Sequence, residues 1–195
     1  MQKIDEQNES LTIKRAPAKL KRGDDAQIVF EGDFFKVWHW PQELYDGSIA
    51  RFESLSRADT VTVLALTKDN KVIMTRQSQP GLSEFLSLPG GIIDDGETVL
   101  QASKRELIEE TGYASQDWYF LFSGQMNSRI DWANFYLVAK NCELVAEKNL
   151  DAGEKIEVEL FDLEKFEEIV KKEEFRQSDF ALWFLRGGDL IATSN

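Results

Sequence analysis

Short apolar segments separated by polar turns occupy much of the first 140 residues, and this pattern predicts β-strands. Residues 60–67 and 71–76 are both rich in apolar side chains, and the polar turn between them indicates a β-hairpin. Pro41 is expected to end the strand before it, because proline cannot donate a ladder hydrogen bond. The other strands are predicted at residues 27–30, 34–40, 49–55, 118–123, 132–139 and 155–161, with a weaker candidate at Ser10–Arg15.

Apolar residues at helical spacing predict three helices, at residues 97–111, 163–174 and 178–186. Asp94 or Asp95 is expected to cap the first of these helices. Gly112 is expected to end the same helix in a left-handed conformation, which glycine adopts without strain. The sequence therefore predicts one central helix and a helical C-terminus.

The order of these elements indicates an α+β fold built on a mixed sheet. Residues 1–57 are predicted to form a small β-rich N-terminal extension, and residues 58–195 the main domain with the C-terminal helices. A chain of 195 residues, 42% of them hydrophobic, is long enough to bury a sizeable core.

The charge of the chain narrows the classes of partner. Its formal net charge is −12, which argues against general binding to nucleic acids or anionic membranes, while leaving room for a small anionic substrate beside a bound metal ion. No stretch approaches the roughly 20 apolar residues that a membrane span requires. Cys142 is the only cysteine, which excludes an intrachain disulfide and a cysteine-rich zinc site, so a cytoplasmic location is expected.

Residues 91–113, GIIDDGETVLQASKRELIEETGY, contain the candidate chemistry. Glu106, Glu109 and Glu110 share one face of the predicted helix, where unpaired carboxylates repel each other. A divalent cation among them removes that conflict, and oxygen ligands favour Mg²⁺ or Mn²⁺. Arg105 precedes Glu109 by four residues and can orient its carboxylate. The alternative, a solvated Glu-rich helix, does not explain the full spacing or the Pro-Gly-Gly turn before it.

This segment matches the Nudix box at every defined position, so the chain resembles the Nudix hydrolases. The resemblance implies an α/β/α sandwich that hydrolyses a nucleoside diphosphate linked to another moiety, using a metal-activated water. It implies Mg²⁺, for which Mn²⁺ can substitute, bound by Glu106, Glu109, Glu110 and the Gly90 carbonyl. Glu97 would support them by bonding to Arg105 or to a metal-bound water.

Within that family, the chain is most similar to the ADP-ribose and nucleoside-diphosphate-sugar pyrophosphatases. The resemblance lies in the β-rich extension, in residues 72–77 (VIMTRQ), and in the acidic loop and strand at 151–158. Glu154 in that loop is the implied general base or water-orienting group, with an ordinary loop acid as the alternative. Three features depart from the pattern: Gln79 stands where many of these enzymes have a second arginine, Ser87 stands where they often have an acid, and residues 124–131 lack the proline often found downstream of the box.

Substrate contacts outside the box are expected from arginines, because a guanidinium binds phosphate oxygens through two donors. Arg76 is the first candidate, followed by Arg57 and Arg129. Trp132 is a candidate for stacking on a ring of the substrate, with core packing as the alternative.

The expected function is hydrolysis of ADP-ribose or a related nucleoside diphosphate sugar to a nucleoside monophosphate and a sugar phosphate. The resemblance also implies a homodimer, and the net charge argues against contact with nucleic acid or membrane. Two alternatives stay open: a hydrolase of nucleoside triphosphates or dinucleoside polyphosphates, and a non-catalytic sensor that binds a nucleotide sugar.

Overall fold

The computed structural model describes residues 1–125, 127–150, 153 and 155–188. Glu154, the predicted general base, and the last seven residues of the predicted main domain lie outside the described residues. Strands within them are β1 (Gln2–Ile4), β2 (Gln27–Glu31), β3 (Lys36–Glu43), β4 (Ile49–Ser56), β5 (Thr60–Thr67), β6 (Val72–Ser78), β7 (Phe85–Ser87), β8 (Tyr113–Ala114), β9 (Asp117–Gln125), β10 (Ile130–Asp131), β11 (Ala133–Leu144) and β12 (Lys155–Phe161). Helices within them are α1 (Glu9–Thr12), α2 (Val99–Thr111), α3 (Leu163–Val170) and α4 (Ser178–Leu185).

The larger sheet has the strand order β1-β9-β11-β5-β6-β12, with β7 beside β6 and β8 beside β11. β5 and β6 pair antiparallel, which confirms the predicted hairpin. β11 runs parallel to β5 and antiparallel to β9, so the sheet is mixed, as predicted. The paired part of β5 and β6 is short, and the segment from β7 to residue 92 bonds to β6 on one side and to β5 on the other.

Both faces of this sheet are covered by helices. Val63 packs in a core cluster with Leu107 of α2, whereas its neighbour Leu64 packs in a second cluster with Phe166 of α3 and Phe180 of α4. Successive residues of a strand point to opposite faces, so the two clusters lie on the two sides of the sheet. Burial on both faces explains the unbroken apolar run of β5. The α+β class and the α/β/α sandwich are confirmed.

Helix α2 begins with a capping box. The Thr98 hydroxyl accepts a hydrogen bond from the backbone N–H of Gln101 at 3.2 Å, and the Gln101 side chain accepts one from the Thr98 N–H at 2.9 Å. The predicted cap at Asp94 or Asp95 is therefore wrong, because Thr98 accepts a hydrogen bond from the free N–H of Gln101 in the first turn instead. Gly112 ends the helix with a φ of 77°, in the left-handed conformation that its position predicted.

The smaller sheet has the order β10-β4-β3-β2 and comes mostly from the predicted extension. β3 continues through Pro41 to Glu43, so the prediction that Pro41 ends the strand is wrong. β2 pairs only with residues 36–39 of β3. At Pro41 one edge of β3 therefore lacks a neighbour, and a residue without an N–H fits there.

The first fifteen residues bind to the main domain. β1 pairs with β9, and the Glu9 carboxylate accepts a hydrogen bond from the backbone N–H of Leu100 in the first turn of α2. Residues Glu9–Thr12 form the short helix α1, so the strand predicted at Ser10–Arg15 is wrong. Arg15 forms salt bridges with Asp59 and Asp131. The division of the chain at residue 57 stays a prediction.

Two further findings concern the helices. α3 ends at Val170, earlier than predicted, because the chain then turns and buries Phe175 in the core. No helix in the described part of the chain has the length and apolar character needed to cross a membrane.

Candidate active site

The three box glutamates lie around a cavity of about 270 Å³, which we call the acidic pocket. α2 contributes Glu106, Glu109 and Glu110, and the turn before it contributes Gly90 and Gly91. The shared helix face follows from the spacing of the glutamates in the chain. The structure therefore brings the predicted metal-binding residues to one place.

Arg105 connects these carboxylates to the loop before the helix. Its guanidinium donates to both carboxylate oxygens of Glu97, to Oε1 of Glu106 at 2.8 Å, and to Oε2 of Glu109 at 3.1 Å. A further hydrogen bond reaches the carbonyl oxygen of Ile92 at 2.8 Å. The hydrogen bonds from Arg105 hold the pKa of Glu97 below its usual range, and the bond to Glu97 in turn raises the pKa of Arg105.

Glu110 is the most deeply buried acid of the box, with 5% of its surface exposed. Its Oε2 accepts a hydrogen bond from the backbone N–H of Gly90 at 3.0 Å, and its Oε1 accepts one from the Gln77 side chain at 3.3 Å. Gln77 is the glutamine of the VIMTRQ strand, so this strand reaches the box through a hydrogen bond. Glu110 is thus held at the junction of α2, β6 and the glycine turn.

The glycine turn (Pro89–Gly91) is bonded to β5, and glycine is needed at positions 90 and 91 for different reasons. A side chain at Gly90 would place its Cβ 2.9 Å from the Thr62 Cα, and the φ of Gly90 is +154°. A Cβ at Gly91 would lie 2.6 Å from the carboxyl carbon of Glu106. Backbone packing therefore requires Gly90, whereas the carboxylate of Glu106 requires Gly91.

The carbonyls of the same turn differ in their hydrogen bonds. The Pro89 and Gly91 carbonyls accept hydrogen bonds from the backbone N–H groups of Val63 and Val61. Among the described residues, none donates a hydrogen bond to the Gly90 carbonyl between them. This oxygen has the free acceptor capacity that a cation ligand needs.

The donor set fits a hard divalent cation, because it consists of three carboxylates and a backbone carbonyl around one cavity. In the described part of the chain, however, no three acidic, histidine or cysteine side chains stand close enough together to hold an ion. Arg105 draws Glu106 and Glu109 toward itself, while Glu110 bonds to Gly90 and Gln77. The sharing of one ion by these groups stays a prediction.

A second cavity, of about 310 Å³, adjoins the acidic pocket. The two share Gly90, Gly91 and Ile92 as a common wall. We call the second one the cationic cavity, because Arg57 and Arg176 line it. It extends over β5 toward β11 on one side and toward β7 on the other.

Arg57 is the predicted substrate contact that the structure brings to this cavity. Its guanidinium lies over the ring of Trp132, 4.8 Å from the centroid, and Trp132 also lines the cavity. No carboxylate of the described residues forms a salt bridge with Arg57, and burial lowers the pKa of its guanidinium. A half-buried cation without an acidic partner is a suitable site for an anion.

Arg76 and Arg129 do not line either cavity. Arg76 forms salt bridges with Glu159 and Glu84, the latter at 3.2 Å. Arg129 donates to the backbone carbonyl of Glu53 at 3.3 Å. Contact of either arginine with a substrate stays a prediction, and the two glutamates already neutralise the charge of Arg76.

Sequence reasoning missed the polar residues on the side of the cationic cavity nearest α4. The Asn134 side chain donates to the Tyr136 hydroxyl at 2.8 Å, and that hydroxyl donates to Asp179. Burial raises the pKa of both Tyr136 and Asp179. Arg176 and Gln177, which also line the cavity, were missed as well. They come near it through long-range packing, and no local sequence pattern marked them.

Comparison with known proteins places this arrangement in a family. The NUDIX domain model matches residues 56–184. The methanol dehydrogenase activator of Bacillus methanolicus is 31% identical over 96 residues, which cover 49% of this chain and only 52% of that protein. The ADP-ribose pyrophosphatase of Bacillus subtilis (strain 168) is 27% identical over 149 residues, covering 75% of this chain and 80% of that protein.

A solved structure has the same fold. The crystal structure of an ADP compounds hydrolase superposes with a TM-score of 0.70 at 24% identity, over 84% of this chain and 90% of that one. The family model spans more than half of the chain and includes the whole box. The chain therefore belongs to the Nudix family and is a hydrolase of a diphosphate bond, in a family that binds small nucleotide derivatives and generally uses divalent metal ions.

Proposed function

We propose that the chain is a Mg²⁺-dependent pyrophosphohydrolase that cleaves ADP-ribose or a related nucleoside diphosphate sugar to a nucleoside monophosphate and a sugar phosphate. The observation that carries this proposal is the wall shared by the acidic pocket and the cationic cavity, formed by Gly90, Gly91 and Ile92. A substrate whose diphosphate lies against these glycines reaches the glutamates on one side and Arg57 on the other. Similarity to the Bacillus subtilis ADP-ribose pyrophosphatase supports this substrate class.

Each box residue has a role in this proposal. Glu106, Glu109, Glu110 and the Gly90 carbonyl would hold Mg²⁺, for which Mn²⁺ can substitute. When bound, the cation supplies positive charge to the diphosphate and activates the attacking water. Arg105 orients the carboxylates of Glu106 and Glu109 through its hydrogen bonds. Glu97 fixes Arg105 in turn.

Groups outside the box would bind the substrate and accept a proton from the attacking water or orient it. Arg57 would donate to a phosphate oxygen while it lies on the ring of Trp132. Arg76, the first candidate from the sequence, and Arg129 have less support than Arg57, since neither lines a cavity next to the box. Glu154 is retained as the proposed general base or water-orienting group, on the resemblance alone, because it lies outside the described residues.

The test is turnover of a substrate panel with Mg²⁺: ADP-ribose, other nucleoside diphosphate sugars, nucleoside triphosphates, dinucleoside polyphosphates and NADH. The expected result is hydrolysis of ADP-ribose or another diphosphate sugar to two monophosphates, and none after removal of divalent ions with a chelator. Preferential hydrolysis of the triphosphates or polyphosphates would replace this substrate assignment. Tight binding of a nucleotide sugar without turnover of any compound would identify a sensor instead.

We also propose a cytoplasmic homodimer with a β-rich extension at residues 1–57. Support comes from exposed apolar side chains in the smaller sheet, including Val29 and Phe30 of β2 and Ile49 of β4. The single buried cysteine is compatible with a reducing compartment. Light scattering coupled to size-exclusion chromatography tests the dimer, and a monomeric mass at micromolar concentration would refute it.

A further inference from the structure

We propose that Arg176, held on the ring of Phe85, is a second arginine that binds the diphosphate of the substrate. This inference rests on the proposed function, since it concerns the substrate of the same site. Arg176 lies outside the box and outside the strands that the sequence predicts. It lies in the connection between α3 and α4, and the structure brings it to the rim of the cationic cavity.

The backbone around Arg176 is fixed by pairing with β7. The N–H of Leu86 donates to the Glu174 carbonyl at 3.1 Å, and the N–H of Arg176 donates to the Leu86 carbonyl at 2.9 Å. Phe175 between them is buried, with 4% of its surface exposed. The connection between α3 and α4 therefore behaves as a short parallel strand beside β7, and the position of Arg176 is set by the sheet.

Gln177 strengthens the same attachment. Its side-chain carbonyl accepts a hydrogen bond from the Leu88 N–H, and its side-chain N–H donates to the Leu88 carbonyl, both at 3.1 Å. The amide thus pairs with one residue as a neighbouring strand would. Leu88 is followed by Pro89 and Gly90, so this bond ties the rim residue to the turn of the acidic pocket.

The side chain of Arg176 is oriented by an aromatic ring. Its guanidinium lies 4.5 Å from the ring centroid of Phe85, which also lines the cavity. A guanidinium flat on a ring keeps its N–H donors at the edge, where they can bind two phosphate oxygens. Arg57 has the same relation to Trp132 near β11, on the opposite side of β5. Two guanidinium–aromatic pairs therefore flank the cavity beside the shared wall.

The charges of the cavity favour an anion in spite of the net charge of −12. Among the described residues, neither Arg57 nor Arg176 forms a salt bridge, and the one acid in the cavity wall, Asp179, accepts a hydrogen bond from Tyr136. Gln79, at the position where related enzymes often have arginine, also lines the cavity but is neutral. Arg176 supplies positive charge to this cavity from another part of the chain.

The test compares Arg176→Gln with Arg186→Gln, a matched control that removes the same charge at the exposed end of α4. The probe is α,β-methylene-ADP, a diphosphate that resists hydrolysis, and its Kd is measured by calorimetry with Mg²⁺ present. Arg176→Gln is expected to raise the Kd by about tenfold, since a charge-assisted pair is lost, whereas Arg186→Gln changes it less than about twofold. Arg176→Lys keeps the charge but lacks the planar pair of N–H donors, so its Kd should lie between those of the two other variants.

Two further measurements make the outcome decisive. Phe85→Leu removes the ring that orients the guanidinium and should raise the Kd by about threefold with Arg176 intact. Thermal unfolding checks that each variant folds, which we expect because the backbone pairing of Arg176 does not depend on its side chain. Equal Kd values for Arg176→Gln and Arg186→Gln would overturn the inference. Failure of the wild-type protein to hydrolyse any compound would refute the proposed function while leaving this binding result in force.

Discussion

Arg105 donates two hydrogen bonds, each 2.8 Å long, to the two carboxylate oxygens of Glu97, eight residues earlier in the chain. The pair joins the middle of α2 to the loop that leads into it. Because the same guanidinium also bonds to Glu106 and Glu109, the loop and two predicted metal ligands belong to one hydrogen-bonded network. The spacing of the box thus encodes a support for its carboxylates as well as the carboxylates themselves.

Replacing Glu97 with Gln tests this support through pH. The bonds from Arg105 lower the pKa of Glu97, so the ionised carboxylate stabilises the fold above the usual glutamate range. That contribution is lost as pH falls through the lowered pKa. At pH 7 the variant is expected to lose a measurable part of its unfolding free energy, up to about 1 kcal/mol, because water screens a partly exposed pair. Below the lowered pKa of Glu97 the two proteins should converge.

Urea unfolding at several pH values measures this difference. Glu173→Gln is the control, since Glu173 is an exposed acid in the turn after α3. Its unfolding free energy should match that of the wild type at every pH. A Glu97→Gln protein that matches the wild type at neutral pH would contradict a stabilising role for the pair.

Alanine substitutions at the two glycines of the turn should affect different properties of the protein. Gly91→Ala pushes only the end of the Glu106 side chain, so the protein should fold but need about tenfold to a hundredfold more Mg²⁺ for half-maximal activity. Gly90→Ala meets backbone atoms of β5 at a φ of +154°, so it should lower the melting temperature sharply. Gly124→Ala, where a Cβ meets nothing closer than 3.7 Å, serves as the control. Identical Mg²⁺ dependence of Gly91→Ala and wild type would count against the metal assignment of Glu106.

Glu110→Gln should remove activity while keeping the fold. The amide has nearly the same shape, but one of its ends must present a donor to the N–H of Gly90 or of Gln77, and it loses the negative charge for a cation. We expect kcat to fall roughly a thousandfold, with Glu147→Gln, an exposed acid away from both cavities, unchanged. Steady-state kinetics with saturating Mg²⁺ measures this, and near-normal turnover would remove Glu110 from the proposed ligands.

Cys142 should be unreactive in the native protein. Burial raises the pKa of its thiol to about 12, so almost no thiolate is present at pH 8. Its modification by a disulfide reagent should be roughly a thousandfold slower than in guanidinium chloride. Because the folded-state pKa is raised, the protonated thiol stabilises the fold below pH 9 and this contribution is lost as pH rises toward 12. Fast native modification would show that the strand around Cys142 opens readily.

The features that the sequence predicted well are those set by local spacing. The helix face of Glu106, Glu109 and Glu110 and the left-handed Gly112 follow from distances of a few residues along one helix. The link from Arg105 to Glu97, which the structure contains, was implied by the resemblance. The apolar runs also located most strands of the larger sheet, because burial on both faces leaves little room for polar residues.

The features that it missed depend on partners far away in the chain. The cap of α2 is the exception, because Thr98 and Gln101 form a local T-x-x-Q pattern that the prediction at Asp94 or Asp95 overlooked. Arg76 matched a known strand pattern, yet Glu159 on the neighbouring strand pairs with it. Arg176 reaches the cavity only because residues 174–176 pair with β7. No pattern within a single segment contains the contacts of Arg76 and Arg176.

The parallel pairing of β5 and β11 has a consequence for refolding. Thr62 and Asn134, which bond across these strands, are 72 residues apart, and α2 lies in the connection between them. Closing so long a loop costs conformational entropy before the two strands make stabilising contacts. The circular-dichroism signal of the helices should therefore return before this pairing forms. The glycine turn is seated on β5, and recovery of enzymatic activity should therefore lag behind the return of secondary structure.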